Sequence, residues 1–204
     1  MQTRRERITR IVILTGVSVA VALLVGWFVC FGVFVIPSAS MANTLVPGDH
    51  VLVERIGVLL ARPLYRGEIV VHRYPLDRNE DYVKRIVGVP GDRLKMRDKR
   101  LYRNGVEVNE PYVQHSSSLI DSYRDNFPNT PNSPLREPAM EMLEKHVVNG
   151  ELVIPEGRYF VMGDNRDDSA DSRYFGFIQG SDVVGRPILI YGSHDPKRIF
   201  KRLR

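Results

Sequence analysis

From Ile11 to Ile36 the chain runs for 26 residues without a charged side chain, and the next acid or base is Asp49. As a helix this run would be ~39 Å long at 1.5 Å per residue, against ~30 Å of bilayer hydrocarbon. It is therefore long enough to span a membrane with some tilt. Arg4, Arg5, Arg7 and Arg10 precede it and no cation follows closely. The positive-inside bias then puts Met1 in the cytoplasm and the body of the chain outside. A cleavable signal peptide is the competing reading, because Ser38-Ala39-Ser40 offers the small residues of a cleavage site. An h-region covers only about 7–15 residues, so the length favours a retained anchor. The best later apolar run, Pro187 to Gly192, is too short for a second span.

The formal net charge of +5 is carried by the two ends. Residues 1–10 hold +3 and the tail from Pro196 holds +5, which leaves −3 on residues 11–195. A nucleic-acid binder needs Lys and Arg spread over a folded face, so this distribution argues against one. The single cysteine, Cys30, allows no intramolecular disulfide. It lies in the apolar run, where a thiolate is disfavoured.

Beyond Pro37 the pattern is strand-like. Short β-branched runs at 50–56, 67–74, 82–87, 157–162 and 182–191 are punctuated by Pro and Gly. Asn104-Gly105 between two such runs predicts a two-residue hairpin with a type I′ turn. Residues 113–150 differ, because Pro128, Pro131, Pro134 and Pro138 interrupt any long element. One helix is expected there, from Pro138 to His146, with the proline in its first turn. The fold class expected is mainly β, an all-β body with an inserted irregular region, plus one N-terminal transmembrane helix. The expected divisions are a cytoplasmic basic stretch 1–10, an anchor 11–36, a β body formed by 37–112 and 151–195, an insertion 113–150 and a basic tail 196–204.

For chemistry, Ser40 lies four residues past the apolar run, at the level of the outer membrane surface. A serine nucleophile needs a base. None of the five histidines sits in a triad signature, and each is read as a surface or structural residue. A neutral amine can replace imidazole, but a free lysine, with a pKa of about 10.4, is less than about one part in a thousand neutral at pH 7. Burial lowers that pKa. Tyr82, Lys84 and Ile86 share one strand face, so Lys84 becomes a base if that face is the interior. On this strand alone, an ordinary solvated lysine stays the alternative. Arg85 cannot serve, since a guanidinium does not deprotonate in proteins. The polar stretch from Gly163 to Gly176 lacks the Gly and Glu of a calcium loop at positions 6 and 12, where Ser169 and Phe175 stand. No zinc-ligand spacing appears, so neither metal nor cofactor is expected. A loop rich in Asx turns and a salt-bridged scaffold beside an active site both suit that stretch.

Four segments, in this order, resemble the type I signal peptidases, the bacterial leader peptidases. They are Ile36-Pro-Ser-Ala-Ser-Met41 with Thr44-Leu-Val-Pro-Gly-Asp49, Arg66 to Pro75, Asp81 to Asp92, and Gly163 to Arg173. The resemblance covers most of residues 30–112 and 152–192. It implies a serine endopeptidase with Ser40 as nucleophile and Lys84 as general base. It also implies that Ser169 orients the amine, and that Ser38 and the Ser40 N–H hold the oxyanion. By the same resemblance Arg85 with Asp164, and Asp171 with Arg173, are ion pairs that hold the site. Ile36, Met41, Tyr82 and Val83 then line the substrate pockets. The chain departs from the family at Asn43, where a proline is usual, and at Ala39, where a glycine is common.

The implied activity is cleavage of signal peptides from exported proteins after small residues at −1 and −3, at the outer face of the bacterial inner membrane. The implied partners are emerging preproteins and the lipid bilayer. A Ser–Lys autoprotease of the SOS-repressor type would want a DNA-binding amino terminus where this chain has the apolar run. A membrane-tethered scaffold without catalysis is the rival of another class, and it leaves Ser40, Lys84 and Ser169 unexplained. The tail from Lys197 reads as a solubilising end, or as a contact for anionic headgroups with Phe200 dipping in.

Overall fold

The computed structural model describes residues 4–131 and 135–203. The readings for Met1, Pro134 and Arg204 lie outside the described residues.

Helix α1 spans Arg4–Cys30, and its Val12–Cys30 stretch is long and apolar enough to cross a membrane. None of that stretch is buried against the rest of the chain. The helix does not continue to Ile36 as expected. Phe31–Val35 instead forms strand β1, antiparallel to β2 (His50–Glu54), with Phe31 opposite Glu54 and Val35 opposite His50. The backbone N–H of Arg55 donates to the carbonyl of Cys30 over 2.8 Å, which occupies one of the free carbonyls at the helix end. Four of the five residues that follow are aromatic or β-branched and suit a pleated edge. Apolarity marked the run correctly, but it does not say where a helix hands over to a strand.

The body is mainly β, as expected. One sheet has seven strands in the order β1-β2-β12-β3-β4-β10-β11. Its remaining strands are β3 (Ile69–Tyr74), β4 (Asp77–Gly88), β10 (Arg158–Met162), β11 (Ile178–Gln179) and β12 (Val183–Gly192), and the short helix α2 (Ile56–Leu59) follows β2. The second sheet has the order β7-β6-β5-β9-β8. It comprises β5 (Arg93–Arg97), β6 (Arg100–Arg103), β7 (Val106–Glu107), β8 (Val147–Val148) and β9 (Glu151–Val153). Asn104 and Gly105 join β6 to β7 with φ of 53° and 82°, the two positive values a type I′ turn requires.

Among the described residues of 113–150, those before Glu137 form no helix or named strand, yet part of the stretch is packed into the body. Its later part supplies helix α3 (Glu137–His146), with Pro138 in its first turn, and strand β8. Tyr123, Phe127 and Met142 are buried in one apolar cluster with Leu94, Leu152 and Phe160. Those three apolar residues are spaced too irregularly to announce a core-facing element, which is why the region reads as a loop.

The chain beyond Pro196 is not a loose end. Ile190 donates its N–H to Lys201, Phe200 to Ile190 and Leu203 to Ile188, at 3.0, 2.7 and 3.0 Å. The segment takes the side of β12 that β3 leaves free, and Leu203 packs with Ile36, Met41 and Leu45.

Candidate active site

Ser40 sits in a 3-10 turn, Ala39–Met41, directly after β1 and Pro37. The turn is held from both sides. The N–H of Asn165 donates to the Ser40 carbonyl over 3.1 Å. The Asn165 amide Nδ2 donates to the Ala39 carbonyl over 3.2 Å. Ahead of the turn, Ile36 donates to the Asp49 carbonyl and Gly48 to the Ile36 carbonyl, each at 2.9 Å. After it, Asn43 takes a φ of 80°, a backbone state closed to proline.

Lys84 lies on β4 opposite Val70 of β3 and is only 3 % exposed. Its amine donates to Ser40 Oγ over 2.7 Å. Burial pushes the Lys84 amine down to about 8, aided by the Arg173 charge and opposed by Asp171 and Asp164. The Tyr82 ring stands 5.3 Å away on the same strand face. Ser38 places its hydroxyl 3.3 Å from Ser40 Oγ.

On the opposite face of β4, Arg85 grips Asp164 through Nε at 2.9 Å and Nη2 at 2.6 Å. Thr44 donates its hydroxyl to Asp164 Oδ2 over 2.5 Å, so this ion pair reaches the loop after Ser40. Asp171 accepts from Arg173 Nε at 2.8 Å and Nη2 at 2.7 Å, and both residues are fully buried. Asp171 also accepts the Gly163 N–H and caps helix α4 (Ser172–Phe175). The Arg173 guanidinium holds the Asp171 carboxyl below the usual carboxylate range against the opposing cost of burial. Ser169 comes to the same place, since a Cβ on Gly163 would lie 2.3 Å from its Oγ and 2.4 Å from the Ser40 carbonyl oxygen. That Oγ is buried and forms no hydrogen bond among the described residues, to Lys84 or otherwise. Static geometry therefore leaves the orienting role of Ser169 unfilled.

A cleft of about 410 Å³ opens over the Ser40–Lys84 pair. Phe34, Val35 and Ile36 form one wall and Tyr82 and Val83 the other, with Met41 in the lining. Asp81 and Asp168 stand at its exposed rim. The two backbones that flank it are open to pairing. β1 ends its sheet, and β10 pairs with β4 only from Arg85 onward, which leaves Asp81 to Lys84 without a strand on that side among the described residues.

A family model described as signal peptidase, peptidase S26, matches residues 8–192. The chain belongs to this family. Signal peptidase I of Pseudomonas aeruginosa is 34 % identical over 190 residues, which cover 80 % of this chain and 66 % of that protein. Signal peptidase I of Bacillus caldolyticus is 35 % identical over 171 residues, covering 83 % of this chain and 84 % of its own. The chain thus spans just under two thirds of the Pseudomonas aeruginosa relative. A solved signal peptidase I from Enterococcus faecalis V583 is 32 % identical, covers 61 % of this chain and 97 % of its own, and has a TM-score of 0.44.

Within this site, four contributors escape a reading of motifs. Asn165 binds the Ser40 turn, but in sequence it is one polar residue in a polar loop. Arg166, almost fully buried, forks onto Glu110 at 2.7 and 2.8 Å and anchors the same loop. Tyr112 stacks under the Arg85 guanidinium at 3.9 Å. Glu110 and Tyr112 stand over 50 residues before the loop they support, and nothing local marks them. His72 is buried, with Nδ1 2.9 Å from the Arg73 carbonyl oxygen. Burial pushes its pKa down to about 4, which fits a neutral structural histidine.

Proposed function

We propose that this chain is a membrane-anchored signal peptidase I that removes signal peptides from exported proteins by a Ser–Lys mechanism. One observation carries the reading: a buried amine lies 2.7 Å from a serine hydroxyl at the floor of an apolar cleft. An amine of pKa about 8 is roughly one-tenth neutral at pH 7, which is enough to act as a general base.

Neutral Lys84 takes the proton from Ser40 as Oγ attacks the scissile carbonyl. The Ser38 hydroxyl and the Ser40 N–H hold the oxyanion, and loss of such a donor costs roughly 2.7–4 kcal/mol of barrier. Lys84 returns the proton to the departing amine of the mature protein. Water, deprotonated by Lys84, then attacks the acyl carbonyl, and Lys84 gives that proton back to Ser40 Oγ as the ester bond breaks. The protonated intermediate needs acceptors for three N–H bonds. Ser169 makes no such bond in the resting site, but its buried hydroxyl is unpartnered there and can turn to the ammonium as one of them.

The signal peptide enters as an extended strand beside Asp81 to Lys84, by backbone addition to the sheet. Ile36 and Met41 are almost fully buried, so the cleft is shallow beside Ser40 and favours small residues at −1 and −3. Helix α1 anchors the chain in the bacterial inner membrane with its arginine-rich end cytoplasmic and the body outside. Cys30 then lies at the outer end of the anchor, ten residues before Ser40, which delivers the scissile bond at the membrane surface. The test is purified full-length protein in detergent with a preprotein substrate. Wild type is expected to cut after the small −1 residue and Ser40→Ala to leave the preprotein intact. Cutting that persists in Ser40→Ala sinks the reading.

A further inference from the structure

The family match ends at Gly192, yet the segment after it is bonded to the loop that carries the nucleophile. Asp49 is completely buried. Its carboxylate accepts from the Val46 N–H at 3.0 Å, from the Ser193 hydroxyl at 2.7 Å, and from Arg198 through Nη2 at 2.6 Å and Nε at 3.1 Å. The same Nη2 donates to the Thr44 carbonyl over 2.9 Å. One guanidinium therefore ties two points of the loop after Ser40 to each other and to the C-terminal segment.

Both points lead back to the reacting pair. Thr44 donates to Asp164, the partner of Arg85, which adjoins Lys84 on β4. The Asp49 carbonyl receives the N–H of Ile36, four residues before Ser40. Leu203 adds an apolar hold, since it packs in one cluster with Ile36 and Met41, the residues on either side of the Ser38–Ser40 stretch. The tail's charge is thus partly spent inside the fold. Arg198 is mostly buried and paired, whereas Lys197 is exposed.

We propose that Arg198 is a positioning residue for the Ser40 turn, and that the segment 193–203 is a clamp on the entry to and exit from that turn. The proposal rests on Ser40 being the nucleophile. It follows from geometry: a nucleophile displaced by about 1 Å can cost on the order of 100-fold in rate. A guanidinium fork can serve Asp49 and the Thr44 carbonyl together, which a point-charge ammonium does less well.

The experiment compares full-length wild type with Arg198→Ala, Arg198→Lys, Lys197→Ala and Ser40→Ala on one preprotein. Active sites are counted with a serine-acylating probe, and unfolding is followed by heat. Expected are a fall in kcat per titrated site of roughly 10–100-fold for Arg198→Ala at a KM within about twofold of wild type, an intermediate kcat for Arg198→Lys, and a wild-type kcat for Lys197→Ala. A kcat per titrated site within twofold of wild type in Arg198→Ala overturns the clamp, as does a loss confined to the number of titratable sites or to KM. Ser40→Ala keeps the two readings apart. If wild-type turnover needs Ser40 and Arg198→Ala is normal, only the clamp fails. If turnover does not need Ser40, both fail.

Discussion

The backbone N–H of Asn165 donates to the carbonyl of Ser40 over 3.1 Å, so the acidic loop after β10 and the Ser40 turn behave as one unit. The Asn165 side chain repeats the link at the Ala39 carbonyl. Asn165→Ala keeps the first bond and loses the second. A net hydrogen bond contributes about 0.5–1.5 kcal/mol, so kcat is expected to drop by roughly 2–12-fold. Steady-state cleavage with an unchanged active-site count checks it.

Gly163 meets that unit where there is no room for a side chain. A Cβ would stand 2.4 Å from the Ser40 carbonyl oxygen, which is backbone and cannot swing aside. Gly163→Ala should cost about 1–3 kcal/mol in strain. The outcome expected is a lower midpoint of thermal unfolding together with at least about a tenfold fall in kcat/KM.

Lys84 makes the rate depend on pH with a defined sign. In the proposed mechanism the amine must be neutral to accept the Ser40 proton, and burial pushes its pKa down to about 8. Activity should therefore be low in acid, rise with pH, and reach half its plateau near that value. A profile that is flat or falls over this range would remove Lys84 as the base.

Charge alone does not substitute for that chemistry. Lys84→Arg keeps a cation beside Ser40 but cannot lose a proton near neutral pH. Lys84→Arg and Lys84→Ala should both reduce turnover to background, which a gel-based processing assay reads directly.

Asp171 and Arg173 are both fully buried, so breaking the pair leaves an uncompensated charge. Asp171→Asn should destabilise the fold by about 3–5 kcal/mol. At about 2–4 °C per kcal/mol for a chain of this size, calorimetry should find the midpoint lower by roughly 10 °C.

Local patterns carried much of this molecule. Asn104-Gly105 demanded positive φ at two consecutive residues, and the hairpin is there. Pro138 opened the one long helix of the 113–150 region because proline suits a first turn and little else in a helix. The end of α1 was less legible. Phe31 to Val35 are as apolar as the helix before them, and only their pairing with His50 to Glu54 turns them into a strand. Helix and strand compete closely in such a run, and a distant partner decides.

The order of residues sets the local chemistry: an uncharged segment of membrane length, a serine just beyond it, and a lysine on an alternating strand. It also determines which cation of the Lys84-Arg85 pair is able to give up a proton. Tertiary structure alone decided that Lys84 is dry, because burial there depends on β3, Ser40 and the Asp171–Arg173 pair closing round it. It likewise brought Glu110 under Arg166 and folded Arg198 back onto Asp49. Those contacts join positions 56 and 149 residues apart, and no local propensity encodes a distance that only the closed sheet makes short.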